Sequence, residues 1–135
     1  MEKLNILVVE GNTHEENLKF KKLSNQPQSF NFRNNILKYY PNTVIDIVTP
    51  STNNEASRFI PELNKYDGII WGGSTLNIYE DNPEIRKQLE FAKKIFEFKK
   101  KILAICWGLQ LISTASGGQV KKSKTGTQVG IAVDI

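Results

Sequence analysis

Apolar positions along this chain fall into short continuous runs separated by longer stretches with helical spacing. Asn5 to Val9, Val44 to Val48, Gly68 to Trp71 and Ile102 to Ile105 are rich in Ile and Val without polar alternation. That is the pattern of strands buried on both faces of a parallel sheet. Between the first two runs, one helical piece is expected after Thr13, where Thr13 and Glu16 have capping-box spacing. A second is expected from about Ser29 to Tyr40, set off by Pro27 and closed by Pro41. The clearest helix runs from Pro83 to about Phe98, with Asn82 as N-cap and Glu84 in the first turn. Ile85, Leu89, Ala92 and Phe96 make one apolar stripe on it. A last helical pattern, Leu109 to Ser116, ends at Gly117-Gly118; Gln119-Val120, a lysine loop and Gln128 to Ile135 follow, expected as a β pair at the sheet edge. Strands alternating with helices predict an α/β fold, a mostly parallel sheet covered by helices, in a single domain over residues 1–135.

Composition narrows the class. With one cysteine, no intramolecular disulfide can form, which suits a reducing compartment. The amino terminus enters a strand at once, with no secretory leader pattern, so a cytoplasmic location is expected. The apolar runs are a few residues long, against about 20 for a membrane-spanning helix, so no membrane is an expected partner. The net charge of +4 comes mainly from lysine, with arginine only at Arg33, Arg58 and Arg86. No nucleic acid is expected either, because no basic run is interleaved with aromatics. Lys99-Lys100-Lys101 and Lys121-Lys122-Ser123-Lys124 read as a solvated helix end and a solvated loop. No metal or nucleotide motif is present, and no cofactor is expected.

In open parallel sheets, sites form beyond the carboxyl ends of the strands. Three turns lie there: Glu10-Gly11-Asn12, Gly72-Gly73-Ser74-Thr75 and Cys106-Trp107-Gly108. Cys106 stands between a strand and a helix, flanked two residues away by the small Ala104 and Gly108. A nucleophile on a sharp strand-to-helix elbow needs that spacing. A buried cysteine serving as a small hydrophobe is the competing account. The amides of Gly72-Gly73 can approach a ligand closely and, with that of Trp107, form an oxyanion hole; the glycines could equally serve only a tight exit turn.

Together, Ala104-Ile105-Cys106-Trp107-Gly108-Leu109-Gln110-Leu111, Gly117-Gly118-Gln119-Val120 and Trp71-Gly72-Gly73-Ser74-Thr75-Leu76-Asn77-Ile78-Tyr79-Glu80-Asp81 resemble the class I glutamine amidotransferases. The likeness is to the amino-terminal portion of the stand-alone, guanylate-synthase-like branch. It implies a three-layer flavodoxin-like fold in which Cys106 attacks the side-chain amide of glutamine, the candidate ligand. It further implies that Gly73 and Trp107 give oxyanion amides, that Gly72 and Gln110 help bind substrate, and that Gln128-Val129-Gly130 matches a strand after the elbow helix. The sequence departs from the family at Ala104, where a glycine is usual, and at Ser74, where a proline is usual. It also lacks the family's downstream His-x-Glu pair, since it stops 29 residues after Cys106. The lone histidine, His14, reads as a solvated residue at a helix start. The expectation is a carboxyl-terminally truncated, incomplete domain, inactive alone. Completion by a complementary carboxyl-terminal polypeptide and a non-catalytic thiol-sensor or binding module are the alternatives. An unfinished sheet would also expose an edge, so a homo-oligomer is a further expectation.

Overall fold

The computed structural model describes residues 3–23, 25–52 and 54–126. Its four strands, β1 (Asn5–Val9), β2 (Val44–Val48), β3 (Gly68–Trp71) and β4 (Ile102–Ala104), form one parallel sheet in the order β2-β1-β3-β4. The helices are α1 (His14–Lys22), α2 (Gln28–Tyr39), α3 (Glu55–Phe59), α4 (Pro83–Glu97) and α5 (Trp107–Ala115). A 3₁₀ segment, Ile60–Lys65, follows α3. This is the parallel α/β sheet expected from the strand pattern, in the flavodoxin-like arrangement that the resemblance implies. No helix among the described residues is long and apolar enough to cross a membrane.

Register decides which side chains meet. Leu7 lies beside Ile69, and Val9 beside Trp71 and Val48. Side chains alternate across a strand, so Leu7, Val9, Ile69, Trp71 and Val48 share one face. Those residues are buried in one cluster with Ile85, Phe91, Ala92 and Ile95 of α4 and with Trp107 and Leu111 of α5. On the opposite face Val8 is fully buried, and α2 lies against β1. The sheet's outer strand is less covered: Leu103 on β4 is 56% exposed.

Local signals set most boundaries. Thr13 Oγ1 accepts from the Glu16 N–H (3.2 Å) and Asn82 Oδ1 from the Ile85 N–H (2.9 Å), each satisfying a free amide of a first turn. Only half of the expected capping box forms at Thr13, because the Glu16 carboxylate turns to Lys19 and Thr75. The α4 stripe also differs from the sequence expectation. Ile85 and Ala92 are buried as expected, but Leu89 and Phe96 are only partly buried, and Gln88, Phe91 and Ile95 face the core. The helix is rotated so that the Trp71 and Phe91 rings meet at 6.0 Å.

The connections add detail to this picture. The connection between β2 and β3, for which the sequence reading gave no element, holds α3 and the 3₁₀ segment, where Leu63 is fully buried. Lys100 is not merely solvated: its Nζ donates to the carbonyls of Asn64 and Tyr66 (2.8 Å each), fastening the end of α4 to that connection. Residues 119–126 form no strand, and the β pair expected at Gln128 to Ile135 lies outside the described residues.

Tyr66 joins this connection to the sheet, its buried hydroxyl donating to Asp46 Oδ2 at 2.6 Å. Burial, helped by the bond to Asp46, pushes its phenol up to about 12. A free tyrosine titrates near ~10, so the neutral phenol stabilises the fold fully below about pH 10. That stabilisation is lost as the pH rises towards 12. Urea unfolding midpoints should therefore fall across this window, and Tyr66→Phe should flatten that part of the profile. An equally steep fall in the variant would remove Tyr66 as its source.

Candidate functional site

The elbow follows from two short ties to the end of β3. Beyond β4, the Ile105 N–H still donates to the Trp71 carbonyl (2.9 Å), and three residues later the Gly108 N–H donates to the Gly72 carbonyl (3.0 Å). The chain must reverse from strand to helix between these neighbouring acceptors. Cys106 absorbs the reversal at φ 55° and ψ −112°, a conformation that side chains other than glycine adopt only at a cost. Gly108 is forced by the same approach, since a Cβ there would stand 2.2 Å from the Trp71 carbonyl oxygen. The Cys106 thiol is exposed, not buried as a hydrophobe. It stands at the amino end of α5, where Trp107 is the first helical residue and its N–H has no intrahelical acceptor.

The turns after β1 and β3 are held to this elbow by buried polar side chains. Gln88 of α4, fully buried, donates to the Gly11 carbonyl (2.8 Å) and accepts from the Trp107 indole (2.9 Å). Asn12, 4% exposed, accepts at Oδ1 from the Thr75 N–H and the Ser74 hydroxyl, both at 2.9 Å. Ser74 Oγ also accepts from the Leu76 N–H (3.1 Å), so hydrogen bonds order a loop that lacks proline. Gly11 permits the convergence, because a Cβ there would lie 2.7 Å from both the Gly73 carbonyl and the Trp107 ring.

Glu10 anchors a further element. Its buried carboxylate accepts from the Asn12 N–H (3.1 Å), the Ser29 N–H (3.2 Å) and the Ser29 hydroxyl (2.5 Å). Ser29 is the second residue of α2, so Glu10 supplies the acceptor that Pro27 cannot give as N-cap. This fixes the first residue of α2, Gln28, over the double glycine. Gln28 Oε1 accepts from the Gly73 N–H.

A cavity of about 590 Å³ opens beside Cys106, with Gly73, Ser74, Asn12, Gln28 and Asn31 among its walls. Cys106 and Gly73 thus line one cavity, and Trp107 adjoins Cys106 in the chain. Gly72 lies behind, its carbonyl tied to Gly108, and Gln110 is half-buried one turn into α5 rather than in the cavity wall. His14 is exposed on α1 and lines a different cavity, with Ser51 and Glu84. Gln128 lies outside the described residues. Among the described residues, no cluster of three or more His, Cys, Asp and Glu could hold a metal ion.

Sequence reading singled out neither Gln88, Gln28 nor Ser29, and it gave Glu10 no role. Gln88 had a signal, an amide three residues after Ile85 on the core side of α4. Gln28 had none, because only the tertiary fold brings it to Gly73.

The model of the family described as "Glutamine amidotransferase class-I" matches residues 28–135. A gamma-glutamyl-L-1-hydroxyisopropylamide hydrolase of Pseudomonas sp is 36% identical over 124 residues, 92% of this chain and 41% of that protein. Gamma-glutamyl peptidase 4 of Arabidopsis thaliana is 37% identical over 68 residues, 50% of this chain and 27% of the relative. A glutamine-hydrolyzing GMP synthase of Finegoldia magna is 45% identical over 58 residues, 42% of this chain and 10% of the relative. The chain therefore spans well under half the length of each. No solved structure gives a significant match.

Backbone strain at Cys106 can be measured apart from any chemistry. Cys106→Gly should raise stability by about 1 kcal/mol, the lower part of the cost of such a conformation after the entropy of glycine is counted. Gly108→Ala should lower it by about 3 kcal/mol through overpacking on β3. Urea unfolding of both variants tests the pair; a destabilised Cys106→Gly would mean that the elbow is unstrained.

Proposed function

The chain belongs to the class-I glutamine amidotransferase family, and we propose that it carries the nucleophile half of a thiol amidase site acting on γ-glutamyl amides. The observation that carries this reading is the elbow: an exposed thiol in a strained conformation at a helix start, beside the amides of Trp107 and Gly73. Three relatives bear names that specify a γ-glutamyl or glutamine amide bond, which supports that bond as the substrate class.

In the proposed reaction the Cys106 thiolate adds to the γ-carbonyl carbon and forms a C–S bond. The Gly73 and Trp107 N–H groups receive the resulting oxyanion. Collapse breaks the C–N bond, and the amine or ammonia leaves with a proton, giving a γ-glutamyl thioester. Water then cleaves the thioester to glutamate and restores the thiol. Both halves need a group to move protons. His14, the only histidine of the sequence, lines another cavity. We therefore assign the imidazole and its orienting acid to residues other than these 135, in a further segment of the protein or on a complementary polypeptide. The apolar surface at Leu103 gives such a polypeptide something to cover.

Lack of a general acid/base costs roughly 10²- to 10⁴-fold. The isolated chain should hence be labelled at Cys106 by a glutamine analogue whose amide is replaced by a chloromethyl ketone, with protection by glutamine. It should release ammonia from glutamine at no more than about a hundredth of the rate of a complete family member. Mass spectrometry of the adduct and an ammonia assay check both points. Absence of glutamine-protected labelling would sink the amidase reading, and rapid ammonia release by the chain alone would sink the need for a complement. Exposure of Cys106 also suits a thiol sensor; peroxide-sensitive oxidation without any γ-glutamyl adduct would select that account.

A further inference from the structure

The Gly73 amide, read above as an oxyanion donor, already has an acceptor, and that acceptor is the carbonyl of a primary carboxamide. The Gln28 side chain ends in the same CH₂–C(=O)–NH₂ group as free glutamine. It lies in the cavity that Cys106 lines. The double glycine makes room for it: a Cβ at Gly72 would stand 2.7 Å from Gln28 Oε1, and one at Gly73 would stand 2.8 Å away. Its backbone is not free to drift, because the buried Glu10–Ser29 bonds pin the next residue of α2. The Gln28 residue is nevertheless exposed, so the side chain can rotate out into solvent while α2 stays in place.

We propose that Gln28 is an internal plug: its carboxamide occupies the Gly73 N–H in place of the substrate γ-carbonyl, and a γ-glutamyl amide binds productively only by displacing it. The proposal rests on the amidase reading, and it adds a regulation of that site. Two carbonyls cannot share the one N–H, so the fraction of molecules with Gln28 seated lowers the apparent affinity for substrate in proportion. A neutral hydrogen bond is a weak plug, which substrate can displace. A carboxylate at the same position would be a stronger one, because a charge-assisted bond to an N–H is roughly twice as strong.

The test compares the chain with Gln28→Ala and Gln28→Glu, using two thiol reagents. One is the γ-glutamyl chloromethyl ketone, whose carbonyl needs the Gly73 amide. The other is 4,4′-dithiodipyridine, a neutral disulfide that reports thiol access and ionisation alone. The ratio of the two rate constants should rise about three- to tenfold in Gln28→Ala, the range that one neutral hydrogen bond allows. It should fall at least threefold below that of the unaltered chain in Gln28→Glu. Damage to folding would move both variants in the same direction, so opposite shifts single out the plug. Equal ratios in all three proteins, or a fall in both variants, would overturn the proposal while glutamine-protected labelling left the amidase reading standing. Loss of glutamine protection in the unaltered chain and in Gln28→Ala alike would overturn both.

Discussion

Everything at the site depends on how closely the first turn of α5 lies on the end of β3. Gly108 reaches the Gly72 carbonyl at 3.0 Å, and no Cβ fits between its backbone and Trp71. With Ile105, just beyond β4, already bonded to the Trp71 carbonyl, the reversal has to be completed within the residues between. A relaxed turn would be longer. The positive φ of Cys106, the projection of its thiol and the place of the Trp107 amide at the helix start are consequences of this one packing distance. Strain of this kind persists only where the surroundings over-determine the backbone, and here two strands and a helix do so.

The surroundings are polar as well as apolar. Beneath the elbow lies a hydrophobic cluster from Leu7 to Leu111, but the turns themselves are joined by Glu10, Asn12 and Gln88, each nearly or fully buried. Every one of these side chains makes two or more hydrogen bonds. Buried polar groups are costly when unpaired. Such a set therefore favours one arrangement of the three turns over looser ones. The result is a rigid frame in which the exposed Gln28 side chain can move without breaking a buried contact.

That division also bears on the proposed chemistry. In the proposed reaction the thiol and the two backbone amides are placed by strands β3 and β4 and the start of α5. Proton handling in that reaction would depend on a further side chain, and His14 on α1 lines a separate cavity. A site can thus be built for acylation without being equipped for turnover, because the two rest on different parts of the structure.

The sequence by itself determined the elements whose causes are local. Runs of Ile and Val gave all four strands to within one residue, and Asn82 with Pro83 gave the start of α4. The small residues around Cys106 marked the elbow, since a sharp turn excludes side chains wherever it occurs. What only the tertiary structure decided are the contacts between residues distant in the chain. Gln88 meets Gly11, 77 positions away, and Gln28 meets Gly73, 45 positions away. Neither partner carries a local sign of the other, because a hydrogen bond across the fold depends on the relative placement of whole elements. The rotation of α4 belongs here too: Ile85, Leu89, Ala92 and Phe96 were a valid helical stripe, but the bulk of Trp71 opposite it turned Phe91, Ile95 and Gln88 inward. Periodicity shows that a helix has an apolar side, and the shape of the facing sheet decides which residues of that side reach the core.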